Sequence, residues 1–384
     1  MKKAILAFSG GLDTSFLVPY LKEKGLSVIT VTVNTGGFDK KELKEIAIKS
    51  KKLGSLKHYE IDATKVLYEK FASYIIKSNY LKGGVYPACV GPERLVIAME
   101  LAKIAQKENS NILVHGSTGA GNDQVRFDLT IKALCPKAMI LAPIREHNFS
   151  REYESEFLKK HGHKVTAFCA AYSVNVGLLG TTIGGKETKN TYEEIPESIF
   201  PTVTPLDKTP EKSETITIKF KNGLPESKDK VAYINKLNKI AAKHGYGKDY
   251  HIGTTIIGLK GKIAFEAPAL KLLIKAHSEL EKAVLTSKEI FWKNTLGQVY
   301  GDMIHEGLYF DPLIQDIEAF MDSASQNVSG EVNVKLHKGT ITVSSIKSPH
   351  SLFNSKLGTY GENAGAYTGT DAAGFCKLYG LESI

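Results

Sequence analysis

The sequence predicts an α/β parallel-sheet domain over residues 1–168, an α+β domain over 169–375 and a short C-terminal tail over 376–384. Three features carry that division. Near the N-terminus the apolar run Ala4-Ile5-Leu6-Ala7-Phe8 meets a Gly10-Gly11 turn and then helically spaced Phe16, Leu17, Tyr20 and Leu21, the order strand, turn, helix. Strand-like and helix-like stretches then alternate, which is the βαβ rhythm of a parallel sheet. After about Val165 that rhythm stops, a stretch of little periodicity follows, and from Glu214 strands and helices succeed one another in an α+β order.

Taken in order, a strand at Ser27 to Asn34 leads to a helix from about Asp39 to Leu53 and a strand near His58 to Ile61. Helical spacing returns at Val66 to Lys77 and Glu93 to Glu108. Next come a strand at Asn111 to His115, a helix from about Asp123 and a strand at Ala138 to Ile144. Tyr172 to Thr209 is rich in Gly, Thr, Pro and Glu with little periodicity, so it reads as a long covering connection without a packed element. Beyond it, Thr215 to Phe220 alternates as a strand, Lys230 to His244 is helical and Ile252 to Phe265 is extended. Helices follow at Ala269 to Leu285, Ser287 to Ile304 and Leu313 to Ser323, then a hairpin at Glu331 to Leu336 and Thr340 to Ser345.

The first turn carries chemistry. Two adjacent glycines bring backbone N–H groups close to a ligand, and the helix that opens beside them adds orphan donors and a positive dipole end. An anion belongs there, with the hydroxyls of Ser9, Thr14 and Ser15 as further donors. Asp13 is awkward beside phosphate unless it caps the helix or faces a cation, which implies Mg²⁺. The spacing fits neither GxxxxGK[ST] nor GxGxxG. It resembles the SGGxD[ST] loop of ATP pyrophosphatases, which cleave ATP between the α and β phosphates. The first domain is therefore expected to be nucleotide-binding, of the adenine nucleotide alpha hydrolase-like type. A second glycine-rich segment, Gly116 to Asp123, follows a strand end, where ligands of such sheets gather.

Composition narrows the classes. With 384 residues, 42% hydrophobic and 24% charged, the chain can bury a large core. Its formal charge of +9 comes from scattered lysines without a basic run, so nucleic acid is not an expected partner. Cys89, Cys135, Cys169 and Cys376 show no CxxC spacing and read as reduced thiols of a cytoplasmic protein. Neither a signal-peptide pattern nor an apolar run of 18 residues is present, so no membrane association is expected.

Several segments together are similar to argininosuccinate synthase. They are Ala7 to Ser15, His115-Gly116-Ser117-Thr118-Gly119-Ala120-Gly121-Asn122-Asp123-Gln124-Val125-Arg126-Phe127, Ala142 to Glu146, Ile257 to Lys260, Phe265 to Ala269, Ser348 to Phe353 and Thr370 to Phe375. Their order is collinear along nearly the whole chain. The resemblance implies ligation of citrulline and aspartate: the ureido oxygen attacks ATP, pyrophosphate leaves, and the aspartate amine displaces AMP. It implies that Ala7, Phe8, Ser9, Gly10, Gly11, Leu12, Asp13, Thr14 and Ser15 hold ATP, with Val33 and Gly116 beside the nucleoside. Thr118, Asn122 and Asp123 match aspartate-binding positions, and Asp13 and Asp123 are the catalytic candidates, Asp123 as a relay for the amine proton. Arg126, Tyr86, Ser173 and Thr182 match citrulline positions. A homo-oligomer, tetramer or dimer, is implied as well.

This chain departs from the family pattern at three positions near citrulline. An acid four places before the Ile-Gly-Met-Lys-type segment is Gly253 here, a tyrosine is Phe265, and a hydroxyl-bearing residue after Tyr86 is Gly91. Either a neighbour compensates and free citrulline is the acceptor, or the pocket takes an N-acylated citrulline, acetyl or succinyl, whose nitrogen carries no charge. The chain also ends soon after Phe375, where the family continues into a helix that locks a tetramer. The rival readings are a tRNA-thiolating enzyme, which needs a paired reactive cysteine, and a non-catalytic nucleotide-binding regulator.

Overall fold

The computed structural model describes residues 2–163, 172–362 and 364–381. Cys169 and the change of pattern near Val165 lie outside the described residues. The N-terminal half runs β1 (Lys3–Ala7), α1 (Leu12–Glu23), β2 (Ser27–Asn34), α2 (Lys40–Lys52), β3 (Lys57–Asp62), α3 (Thr64–Leu67), a π-helical turn (Tyr68–Ala72) and α4 (Ser73–Lys77). It continues through α5 (Gly91–Lys107), β4 (Ile112–Val114), α6 (Asp123–Leu134), β5 (Met139–Leu141), α7 (Pro143–His147) and α8 (Arg151–Lys160). The strands form a five-stranded parallel sheet of order β3-β2-β1-β4-β5. Strand order reverses between β1 and β4, so the crevice for a ligand opens beyond their carboxyl ends.

Both faces of that sheet are covered, so β1 and β2 are buried along nearly their whole length, Thr30 and Thr32 included. On one face Leu6, Phe16, Leu17 and Leu158 join α1 and α8 to the sheet. On the other, Ile5, Ile29, Leu95 and Leu101 begin a core that continues into the second half of the chain through Phe265, Leu273 and Val332. The α2 helix, strongly charged, is held at its start by a reciprocal cap: Asp39 Oδ1 accepts from the N–H groups of Lys41 and Glu42, while Glu42 Oε2 accepts from the Asp39 N–H.

The second half holds β6 (Tyr172–Gly177), β7 (Gly180–Gly185), β8 (Glu214–Lys221), β9 (Leu224–Pro225), α9 (Lys230–Lys243), β10 (Lys248–Thr254), β11 (Lys260–Glu266), α10 (Pro268–Val284), α11 (Ser287–Glu306), α12 (Pro312–Ala324), β12 (Gly330–His337), β13 (Thr340–Lys347) and α13 (Gly369–Tyr379). Two antiparallel sheets result, β10-β11-β7-β6 and β13-β12-β8-β9. A capping box at Thr286 starts α11 and left-handed Gly307, with φ of 89°, ends it.

Several expectations need correction. The strand predicted to reach Ile144 stops at Leu141, because Pro143 cannot donate to a ladder and opens α7 instead. The α8 helix, capped by Ser150 Oγ on the Tyr153 N–H, was not anticipated. The stretch 172–209, expected to lack packed elements, begins with the β6–β7 hairpin, and only its later part is short 3₁₀ turns. The extended run 252–265 is two strands, because the Thr255 N–H closes a turn onto the Leu259 carbonyl. Of the tail expected from 376, residues 376–379 are the last turn of α13, whose residues are all exposed or half-buried.

The hairpin is pinned to the first sheet by glycines. The Leu178 N–H donates to the Thr35 carbonyl at 2.9 Å, and a Cβ on Gly37 would fall 2.1 Å from the Val176 carbonyl oxygen. Gly37→Ala is expected to cost about 1–3 kcal/mol through that overlap. Urea denaturation measures it, and an unchanged midpoint would mean that the hairpin does not dock this closely.

Candidate active site

A cleft of about 1000 Å³ lies over the carboxyl ends of β1 and β4, roofed by the β10-β11-β7-β6 sheet. Its floor is the glycine turn after β1. Gly10 adopts φ of 77°, reversing the chain, and Gly11 caps α1 without any side-chain cap, so the first-turn N–H groups keep their capacity for an anion. Ser9 Oγ accepts from the Gly11 N–H and lies 3.3 Å from Thr14 Oγ1. Ala7, Phe8, Ser9, Gly11, Leu12, Asp13 and Thr14 all border the cleft, as do Val33 and Gly116. Gly10 and Ser15 sit behind that surface: Ser15 Oγ donates to the Gly10 carbonyl at 3.2 Å, and Lys49 Nζ donates to the same oxygen. They brace the turn.

The second loop, 116–122, is held from below. The Ser117 N–H donates to His115 Nδ1, so His115 Nε2 is the nitrogen that donates to Asp128 Oδ1 at 2.9 Å. Arg145 Nη1 donates to the other Asp128 oxygen, and Gln124 Nε2 donates to the Gly119 and Gly121 carbonyls. Asn122 Oδ1 accepts from the Ile256 N–H at 2.9 Å, tying the loop to the β10–β11 turn and leaving the amide NH₂ as its donor end.

Where α6 begins, Asp123 binds two guanidiniums, Arg94 Nε at 2.9 Å and Arg126 Nη1 at 2.8 Å. Burial works against its charge, but the two arginines outweigh that and hold the carboxyl at about 2. Arg94 also donates to Asn175 Oδ1 on β6. Arg126 Nε donates to the His305 carbonyl and Nη2 to His305 Nδ1. Burial first, and then Arg126 and Lys82, push His305 down to about 3, so it stays a neutral acceptor.

Tyr86, Thr118, Asn122, Asp123, Arg126, Ser173 and Thr182 all border this one cleft, although up to 96 positions separate the first from the last. Tyr86 packs edge-on against Phe265 at 5.0 Å and stacks with His251 at 5.9 Å. Phe265 is fully buried and pairs with Thr182 across β11 and β7. Gly253 borders both this cleft and a neighbouring cavity of about 400 Å³ that reaches Asp302 and Glu306 on α11. A Cβ on Gly91 would stand 3.6 Å from the Arg126 guanidinium, an ordinary contact.

Residues that sequence reasoning missed include Arg94, Glu93 and Glu154. Arg94 and Glu93 resemble a solvated pair at a helix start until the fold encloses them. Glu154, on the unforeseen α8, is 1% exposed, hydrogen-bonds the Asp13 carboxylate and keeps Oε2 without a partner. Burial, and then Asp13, push its carboxyl up to about 8.

Fold and site together define an ATP-using enzyme of the ATP pyrophosphatase type: a doubly covered parallel sheet with a glycine turn at its switch point, facing a synthetase domain. Residues 3–164 match the family model described as the arginosuccinate synthase N-terminal HUP domain, and residues 172–384 match the arginosuccinate synthase C-terminal domain. Among similar proteins, argininosuccinate synthase of Pyrococcus furiosus is 40% identical over 100% of this chain and 93% of its own length. Those of Xanthomonas campestris and Methanocaldococcus jannaschii are 39% and 38% identical, covering 100% and 99% of this chain and 97% of their own length in each case. The chain belongs to the argininosuccinate synthase family, and its reaction is the ATP-dependent ligation of citrulline and aspartate in arginine biosynthesis. That membership does not favour the N-acylated acceptor, and it sets aside the regulator and thiolation readings. No helix among the described residues is long and apolar enough to cross a membrane.

Proposed function

We propose that the two glycine-rich loops and the roofing sheet divide the reaction between them, with the domain boundary near residue 168. ATP lies on residues 7–15 with its nucleoside against Val33 and Gly116. Citrulline lies between Tyr86, Arg126, Ser173 and Thr182, its carboxylate toward the Arg126 guanidinium. Thr118, the Asn122 amide and Asp123 hold aspartate. The convergence of all these groups on one cleft carries the reading.

The residues present do the work of positioning. First-turn N–H groups of α1 and the hydroxyls of Ser9 and Thr14 orient the phosphates so that the ureido oxygen meets the α-phosphorus. Arg94 and Arg126 keep Asp123 ionised, which makes it an anchor for the aspartate ammonium rather than an acceptor of its proton. No group of three His, Cys, Asp or Glu residues among the described ones could hold a resident metal. The paired carboxyls of Asp13 and Glu154, one with an unpartnered buried oxygen, supply hard oxygen donors that fit Mg²⁺ arriving with ATP. Bound there, the cation would neutralise pyrophosphate as it leaves.

We further propose a cytoplasmic homo-oligomer, supported by the exposed Phe375, Leu378 and Tyr379 of α13. Purified protein with Mg-ATP and citrulline should exchange labelled pyrophosphate into ATP, and adding aspartate should convert exchange into net pyrophosphate release. Release that ignores citrulline would overturn the assignment.

A further inference from the structure

The donor amine enters the cleft as an ammonium and must shed a proton before it can attack. Asp123 is poorly suited to receive it, because both its oxygens accept from guanidiniums. One guanidinium further along lies a carboxyl in the opposite condition. Glu93, in the first turn of α5, is 1% exposed, and its Oε2 stands 3.8 Å from Arg94 Nη1. Its Oε1 has no hydrogen-bond partner, although Arg94 beside it is bonded to both Asp123 and Asn175. Glu93 is among the residues that border the cleft, beneath the β6–β7 hairpin. A Cβ on Gly177 would fall 1.6 Å from Oε1, so glycine at 177 is what admits it.

The groups that face Glu93 come from each element around it. Arg94 and Cys89 belong to α5 and the loop before it, Thr35 to the loop after β2, and Asp123 to α6, while β6 offers only backbone and the neutral Asn175. A single paired cation against one ionised neighbour leaves the buried carboxyl without the support that Asp123 enjoys. Burial pushes it up to about 8, with Arg94 and Thr35 opposing and Asp123 adding to the rise. A base poised near the working pH is the efficient kind.

We propose that Glu93 is the proton acceptor of the ligation half-reaction, drawing a proton from the aspartate ammonium directly or through one water; this rests on the assignment of aspartate to Asp123 given above. The N–H bond breaks, its electron pair stays on nitrogen and its proton goes to the Glu93 carboxylate. That pair forms the new C–N bond, the C–O bond to AMP breaks with its electrons leaving on AMP, and the nitrogen's second proton departs with the AMP phosphate. Glu93 then returns its proton to water.

The experiment separates the two half-reactions in Glu93→Gln, with Glu93→Asp as the conservative partner. Citrulline-dependent ATP–pyrophosphate exchange, measured without aspartate, should stay within about threefold of the parent. Single-turnover ligation of preformed adenylate should fall about 10²–10³-fold. In the parent that step should rise with pH and level off above about 8, whereas the Gln variant should be flat and the Asp variant should regain part of the rate and the slope. Equal losses in both halves, or a Gln variant that keeps the parent's pH profile, would overturn the role. If the parent itself shows no citrulline-dependent exchange, the functional assignment falls and takes this inference with it.

Discussion

Asp123→Asn is expected to lower kcat/KM for aspartate by about 10²-fold or more, with the change in KM larger than that in kcat. Truncating a partner in a hydrogen-bonded charge network typically costs about 2–5 kcal/mol, and each 1.4 kcal/mol is tenfold. Asparagine keeps the shape but offers one neutral acceptor to two guanidiniums that now bind a carboxylate at 2.9 and 2.8 Å. Arg126 stays seated by the His305 carbonyl and Arg94 by Asn175, so the cleft should hold its form while losing its anchor for an ammonium. The sign of the pH effect follows from a carboxyl held at about 2. A depressed carboxylate contributes stability that is present above its ordinary range and disappears as pH falls toward about 2. Asp123 itself therefore adds no titration between pH 5 and 9, and the pH dependence that changes there in the variant should be that of Glu93, no longer raised by the Asp123 charge. A variant whose aspartate KM matches the parent's would remove Asp123 from the donor site.

Lys293→Met should destabilise the protein by about 3–5 kcal/mol while leaving activity per folded molecule intact. Lys293 is fully buried on α11, with Nζ 2.5 Å from Glu281 Oε1 on α10 and a further bond to the Lys77 carbonyl. Glu281, 2% exposed, also accepts from Asn79 Nδ2, and Asn79 in turn meets His277 Nδ1 at 2.7 Å. Burial and then the two lysines press His277 well below its ordinary range, so it cannot replace the lost cation. A lone carboxylate would remain in the core. Replacing both partners with methionine should recover most of the loss, because no charge is then stranded. Urea denaturation of the two single variants and the double variant reads the coupling directly, and additive losses would mean that the pair does not interact.

Much of the architecture was legible because it rests on local rules. The Gly10-Gly11 turn between an apolar run and a helical stripe can only be a strand-turn-helix unit, and β2, α2 with its Asp39 cap, α9 and the β12–β13 hairpin follow from periodicity and turn chemistry in the same way. The β6–β7 hairpin was hidden because its residues carry little apolar alternation. Those strands are stabilised by β11 and by close packing at Gly36 and Gly37, which no window of sequence contains.

The sequence by itself determined the glycine turn after β1 and the parallel sheet, because both follow from local geometry, while Tyr86, Arg126, Ser173 and Thr182 came from the family resemblance and Arg94 and Glu93 were missed. Only the tertiary structure decided the protonation and pairing of those residues. Whether Asp123 anchors or relays depends on two arginines from different helices, one of them 29 residues away, and whether Glu93 is a surface charge or a buried carboxyl with one oxygen left without a hydrogen bond depends on a hairpin folding over it. Charge burial is a property of everything packed around a group, and the chain order does not contain it.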